Sequence, residues 1–421
     1  MPHTQQLGYH SIVKRNKKWW LLATLSAVLP AGVLQAQIDP ERRELIQFGY
    51  NQAIQGSSPI SAYAFYYHNK PNFLDNTNLT LRLAVAPVYL DSELGVKNLL
   101  GPTTDVGFGL AGGGFADSYY ELRRGKYYKS ESFSGNGITP STSLYHLFNP
   151  GDMIPLNGVL RGEYHFADYF RDDTASNFKL PQDQSSFNVR TGFRYGGMEP
   201  VLSPELAMEL SVWYEGQFRL NPCYYGFKDD RSVRSESHLF WARALLAYTF
   251  EESKQNLTIS VTGGTSLSTD RFSAYRLGGF LPLASEFPLI LPGYYYQELS
   301  ATRFALLNTS YTVPIDAAKR WSITAVASTS VMSYLSGLHQ QGSLNSGVGG
   351  GIGYKSPSGA WQILMDCGFG IDALRTHQRG AESVGILMQI NLGKVTHNEY
   401  YSPNDQGGIL QGLGNTFKSL F

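Results

Sequence analysis

The chain has 421 residues with 34 basic and 34 acidic side chains, so its formal net charge is zero, and no basic stripe marks a nucleic-acid surface. It carries 27 Tyr, 23 Phe and 44 Gly but only 16% charged residues, against about 25% in ordinary globular chains. After the N-terminal segment no apolar run reaches the roughly 18 residues of a membrane helix, which excludes a helical membrane protein. Dilute charge with many aromatic and glycine residues suits strands that face lipid and end in aromatic girdles.

At the N-terminus, Lys14, Arg15, Lys17 and Lys18 precede an apolar run from Trp19 to Leu34, and Ala36 precedes Gln37. A basic region, an apolar core and a small exit residue make residues 1–36 a signal peptide. An uncleaved inner-membrane anchor is the competing reading. Removal after Ala36 leaves 385 residues.

Period-two alternation follows. Between Asn256 and Gly264, Leu257, Ile259, Val261 and Gly263 interleave with Thr258, Ser260 and Thr262. The pattern recurs at 59–67, 78–89, 105–115, 158–170, 186–196, 205–219, 238–250, 303–314, 321–334, 345–355, 360–371 and 383–393, and more weakly at 43–52, 119–129 and 271–280. Such segments of about ten residues are the spanning unit of outer-membrane barrels. The expected fold is all-β: one transmembrane antiparallel β-barrel over residues 37–393, with about 16 strands, even in number and between about 14 and 18, followed by a tail over 394–421. A soluble sandwich or propeller also alternates, but with its polar face outside and denser charge.

The polar faces gather charge. In 186–196, Phe187, Val189, Thr191, Phe193 and Tyr195 share one face, which leaves Asn188, Arg190 and Arg194 on the other. In 205–219, Leu206, Met208, Leu210, Val212 and Tyr214 lie opposite Glu205, Glu209, Glu215 and Arg219. A hairpin through Gly196 to Pro204 can set Arg194 beside Glu205 and Arg190 beside Glu209 with every apolar residue on the common face. Arg82, Arg161, Glu163, His165, Arg243 and Asp366 also fall on polar faces. One Arg facing lipid at mid-depth costs about 2–4 kcal/mol, so these charges belong in the lumen. There they either line a selective pore or pair to fill and stiffen the interior.

Other chemistry is sparse. No zinc-ligand spacing, Gly-x-Ser-x-Gly elbow, Walker sequence or His-Glu-x-x-His occurs, so no catalytic, cofactor or metal residue is singled out. The glycines from Gly347 to Gly353 sit in an alternating segment with no helix after them and read as points of close approach or bending. Asp172-Asp173 and Asp229-Asp230 are calcium ligands or, more simply, solvated loop charge. His146 and His165 would serve a membrane-embedded lipid hydrolase only where a nucleophile and base touch. Cys223, after Asn221-Pro222, and Cys367, facing outward on its segment, read as free thiols, although an oxidising destination permits a disulfide.

In the C-terminal third, Tyr275-Arg276-Leu277-Gly278-Gly279, Leu291-Pro292-Gly293-Tyr294 and the run from Phe304 to Ile315 follow one another. Gly349 to Gly359, leading into Ile363-Leu364-Met365-Asp366, comes next. Together these resemble the barrel of the bacterial surface antigen family, which includes outer-membrane protein-assembly factors and two-partner secretion transporters. The resemblance implies sixteen strands and a long inward loop with an Arg-Gly-Tyr or Arg-Gly-Phe tip whose Arg anchors the loop to the barrel wall. Here Pro292 replaces that Arg, and Gly293 and Tyr294 are the tip positions that carry over. The family's periplasmic POTRA domains, which receive the client chain, are not expected before this barrel.

In the closing segment Val384, Ile386, Met388, Ile390 and Leu392 alternate with Gly385, Leu387, Gln389, Asn391 and Gly393. The tail ends in Phe421, as many exported barrels do, while Leu413, Phe417 and Phe421 also fit one face of a short helix. The expectation is an outer-membrane protein without enzymatic activity or cofactor, acting as a pore or as an assembly or translocation component. Its expected partners are outer-membrane lipids and other outer-membrane proteins, as clients or neighbours. A passive diffusion porin and a membrane-embedded lipid hydrolase are the alternatives.

Overall fold

Strands that put apolar side chains on one face and polar ones on the other must satisfy every backbone group within the sheet if lipid lies outside, and only a closed sheet does so. The computed structural model, which describes residues 41–199, 201–202, 204–375 and 378–396, shows that closed sheet. The expected signal peptide lies outside the described residues, as does the tail from residue 397, including Leu413, Phe417 and Phe421.

Sixteen strands form the wall. The first five are β1 (Arg43–Ala53), β2 (Ala62–Pro71), β3 (Leu79–Ala86), β4 (Tyr89–Val96) and β5 (Thr104–Gly113). Longer strands follow: β6 (Ser134–Leu147), β7 (Leu156–Phe170), β8 (Gln184–Gly197), β9 (Leu206–Arg219), β10 (Glu236–Thr249) and β11 (Asn256–Leu267). The last are β12 (Leu299–Pro314), β13 (Trp321–Tyr334), β14 (Leu344–Lys355), β15 (Trp361–Arg375) and β16 (Gln378–Asn391), after which α1 (Leu392–Thr396) begins. Each strand pairs antiparallel with its neighbours, and β1 closes on β16 from Leu45↔Asn391 to Ala53↔Ser383.

Parity sorts the side chains. Along β8 to β10 the exposed face carries Phe187, Phe193, Leu210, Val212, Phe240 and Leu246, while Glu209, Ser211, Trp213 and Arg243 are buried on the other. Lipid therefore meets the apolar set and the lumen holds the charges. The protein is an integral outer-membrane β-barrel.

The sequence expectation of sixteen strands holds through two compensating differences. The segment 78–89 is β3 and the start of β4, joined by the two residues Pro87 and Val88, so one alternating run conceals a hairpin. Strand β6 is absent from the expected set because its lipid-side positions include Asn136, Pro140 and Thr142, which erase the apolar stripe. Conversely, 119–129 and 271–280 add no wall strand: the first holds a small hairpin, Leu122–Arg123 with Lys126–Tyr127. In the second only Tyr275–Leu277 is extended, lying along β12.

Connections at the end where β1 starts and β16 finishes span five to eight residues, whereas the opposite end carries 114–133, 171–183, 220–235 and 268–298. Short periplasmic turns and long outer loops give the orientation. The long loops pack on one another through Tyr119, Phe133, Phe178, Tyr225 and Val233. Beside this aromatic cluster, Glu121 pairs with Arg123 at 3.3 Å, Arg231 at 3.4 Å and Arg271 at 3.1 Å, and Arg231 also holds Glu131. Burial pushes the Glu121 carboxyl up, but the Arg271 and Arg231 guanidiniums overrule it and leave it below its ordinary value. Three loops are thus locked into one cap by charges that would be costly to leave unpaired.

Candidate functional site

The loop 268–298 leaves β11 at the cap and turns inward. Asp270 fixes its root: one carboxylate oxygen accepts from the Phe272 and Ser273 amides at 3.0 and 3.2 Å, and the other takes Arg219 at 2.7 Å and the Arg234 amide at 2.8 Å. From there the loop touches β1, where the Phe280 amide donates to Asn51 Oδ1 at 3.1 Å. A cavity of about 390 Å³ lies between residues 116–119 and this loop, with Arg271, Arg276 and Phe287 among its lining.

Midway, the loop meets the wall formed by β8, β9 and β10. Glu286 pairs with Arg190 at 3.2 Å and with Arg194, and its carbonyl accepts from Arg243 Nη1 at 3.0 Å. Phe287 packs edge-on against Trp213 and Trp241, whose rings stack 6.3 Å apart. Burial pushes the Glu286 carboxyl up; Arg190 and Arg194 outweigh it and hold the group at about 2. Since 48% of the side-chain surface still meets water, part of that attraction is screened.

The tip lies against the wall formed by β14, β15 and β16. Gly293, at φ +82°, packs its backbone onto Gly370, and Pro292 lies over Gly347, Gly349 and Gly368. Side chains on that strip would occupy the space the loop fills. The Gly293 amide donates to Ser383 Oγ at 3.1 Å, and the buried Tyr294 hydroxyl reaches Asn345 at 3.4 Å. Arg375, at the end of β15, pairs with buried Glu298 at 3.0 Å, donates to the Gly293 carbonyl at 3.1 Å and stacks 3.8 Å from the Tyr295 ring centre. A loop that touches β1, β8, β10, β15 and β16 spans the lumen from wall to wall.

The remaining candidates spread along the wall. Arg82 meets Asp91 at 3.3 Å and Glu93 at 3.7 Å. Arg161 meets Glu163 at 2.6 Å and Glu93 at 3.8 Å. Glu209 holds Arg243 at 2.5 Å and lies 3.7 Å from Arg194, whereas Glu215 accepts from Gln217 at 2.7 Å and Arg219 serves the loop root. Asp366 stands apart between Gly351 and Gly385, with a buried Oδ2 that makes no hydrogen bond.

Two expectations are corrected. The β8–β9 register sets Arg190 opposite Glu215 and Arg194 opposite Ser211, because alternation fixes which face a residue takes and leaves the stagger free. Glu205 lies exposed in the connection before β9, outside the charged cluster. Asp173 and Asp229 pair with Lys129 and Lys179, and among the described residues no acidic, His or Cys group could hold a metal ion. Cys223 and Cys367 are free. His165 accepts or donates to Thr139 at 2.9 Å and meets Asp117 at 3.1 Å, and His146 meets Thr104 at 2.8 Å; among the described residues no serine hydroxyl bonds a histidine.

Glu286, Phe287, Trp213, Trp241, Glu298 and Arg375 are missing from the sequence-derived set. Trp213 and Trp241 carry a signal, since each sits on the charge-bearing face of its strand, beside Glu215 and Arg243 respectively, where a large ring needs something to pack against. Nothing local marks the loop residues.

No family model matches the chain, and no curated protein matches it. Among solved structures, CdiB from Acinetobacter baumannii aligns with TM-score 0.54 and 9% identity, over 83% of this chain and 60% of that one. CdiB from Escherichia coli aligns with TM-score 0.51 and 14% identity, over 83% of this chain and 63% of that one. The chain has the fold of CdiB. It spans about 60% of the length of those chains. BamA from Haemophilus ducreyi lacking POTRA domains 1-3 aligns with TM-score 0.49 and 11% identity, over 82% of this chain and 71% of that one. The sixteen-stranded barrel implied by the surface-antigen resemblance is the one observed.

Proposed function

We propose that the protein is a gated outer-membrane pore of the assembly or translocation type, without enzymatic activity, whose lumen is closed at rest by residues 268–298. One observation carries this reading: the loop is held at both ends of its span, by the arginines around Glu286 on one wall and by Arg375 on the other. A loop needed only to join β11 to β12 has no use for two separate charged anchors inside the barrel. On this reading residues 1–36 direct export, residues 37–393 form the barrel, and the lumenal pairs around Glu93 and Glu209 stiffen the wall. Clients or neighbours would be other outer-membrane proteins.

The test is single-channel conductance of the purified protein in planar bilayers beside a variant deleted for residues 282–297. A nearly closed wild type that opens on deletion supports the gate. Steady wild-type conductance that deletion leaves unchanged would mean a diffusion porin.

A further inference from the structure

The wall cluster around Glu286 has more capacity than one carboxylate uses. Three guanidiniums converge there, from Arg190, Arg194 and Arg243, while on the wall Glu209 serves Arg243 and Arg194 and Glu215 faces Arg190 across the β8–β9 pair. Four further donors, Arg190 Nε, Arg194 Nε, Trp213 Nε1 and Trp241 Nε1, are buried without a hydrogen-bond partner. These donors add hydrogen-bonding capacity to the patch. The Phe287 ring sits 5.3, 5.4 and 4.4 Å from the guanidinium carbons of Arg190, Arg194 and Arg243, and also against both indoles. Charge and rings together select a carboxylate with an aromatic ring beside it.

Two consecutive loop residues, Glu286 and Phe287, fill this place, and Glu286 remains half open to water. With Glu286 withdrawn, Arg190 and Arg194 lose the carboxylate they share and the patch becomes more positive. Withdrawal alone is therefore unfavourable, and exchange for another anion is the cheaper route.

We propose that the cradle of Arg190, Arg194, Arg243, Trp213 and Trp241 is a binding site for a polypeptide segment bearing an acidic residue next to an aromatic one. Glu286 and Phe287 are its resting, internal occupant. Because the resting occupant is itself a stretch of polypeptide, a client segment is the matching ligand, and by replacing Glu286 and Phe287 it releases the loop from this wall. An internal competitor scales apparent affinity by the fraction of time it leaves the site free. The release step rests on the reading that the loop closes the lumen; the site itself does not.

The experiment uses the full-length protein in detergent and a labelled, end-blocked peptide with the sequence of residues 284–290, Ala-Ser-Glu-Phe-Pro-Leu-Ile, read by fluorescence anisotropy. The variant Glu286→Gln with Phe287→Ala should bind it at least about tenfold more tightly than wild type. Replacing Glu by Gln in the peptide, or adding Arg194→Gln to the protein, should lose that gain, and added salt should weaken binding. If the double variant fails to form a heat-resistant barrel, Glu286→Gln alone takes its place. Equal binding to wild type and variant, no binding to either, or indifference to the peptide's Glu overturns the site. Equally tight binding of 3-phenylpropionate overturns the polypeptide assignment. Conductance in the same variant separates the two readings: tight peptide binding with unchanged conductance retains the site and defeats the gate.

Discussion

Gly368 tests how closely the loop tip must approach the wall. It lies on the lumenal face of β15, and a Cβ built on it would sit 2.9 Å from the Gly293 amide nitrogen, from Pro292 Cβ and from Ser383 Oγ. Two of those three neighbours belong to the loop. Ordinary contacts lie near 3.5–4.0 Å, so in Gly368→Ala the tip must retreat by about 0.5–1 Å or strain must be stored. Overpacking of this kind costs about 1–3 kcal/mol. Retreat also lengthens the 3.1 Å bond from the Gly293 amide to Ser383, worth about 1 kcal/mol net. A combined penalty of about 2–4 kcal/mol on the docked state shifts the docked-to-released ratio roughly 30-fold to 700-fold. Open probability in planar bilayers reads that shift directly. Gly197→Ala is the control, since nothing lies within 4 Å of a Cβ built there. A correctly folded Gly368→Ala barrel with wild-type open probability would refute the claim that the bare strip exists to seat the loop.

Arg375→Met leaves Glu298 buried without its partner, a loss of about 3–5 kcal/mol; more frequent openings and a lower unfolding temperature on heat-modifiability gels are expected, partly restored by adding Glu298→Met. Glu286 gives a pH dependence: its carboxyl is held at about 2, below the reference of 4.5, so its contribution to docking is complete above about pH 4.5 and lost as pH falls towards 2. Openings should therefore rise across that acidic window and stay flat from about pH 5 to 8, and Glu286→Gln should remove the acid response. In the cap, Arg231→Leu removes the arginine that links Glu121 and Glu131 of one loop to the 220–235 loop; faster protease nicking of the 114–133 and 220–235 loops is expected, and a nicking rate equal to wild type would deny that these charges hold the cap together.

Legibility in the sequence followed the physics of each element. In β8 and β9 the lipid side is apolar at nearly every second position, so both strands and their lumenal charges can be read directly. In β6 the lipid side mixes Ile138 with Asn136, Pro140 and Thr142, and period two has no contrast to show. The register between β8 and β9 was out of reach for a related reason: sliding by an even number of residues preserves the faces, and the eight-residue connection does not impose a tight-turn stagger. Loop partnerships were further away still. Arg190 and Glu286 are 96 residues apart, and Arg375 and Glu298 are 77, so only folding brings them together. The glycines of β14 and β15 could be read as permitting close approach; that the approaching group is the loop tip could not.

The inward loop ties together parts of the wall that lie far apart in the chain. The wall that grips Glu286 is made of strands that precede the loop, whereas the strip beneath Pro292 and the anchors Arg375 and Ser383 belong to the strands that finish the chain. The loop is thus gripped by both halves of the chain at once. The β1–β16 seam is therefore not the sole link between the first and the last strands, since the loop also joins the two halves through the lumen.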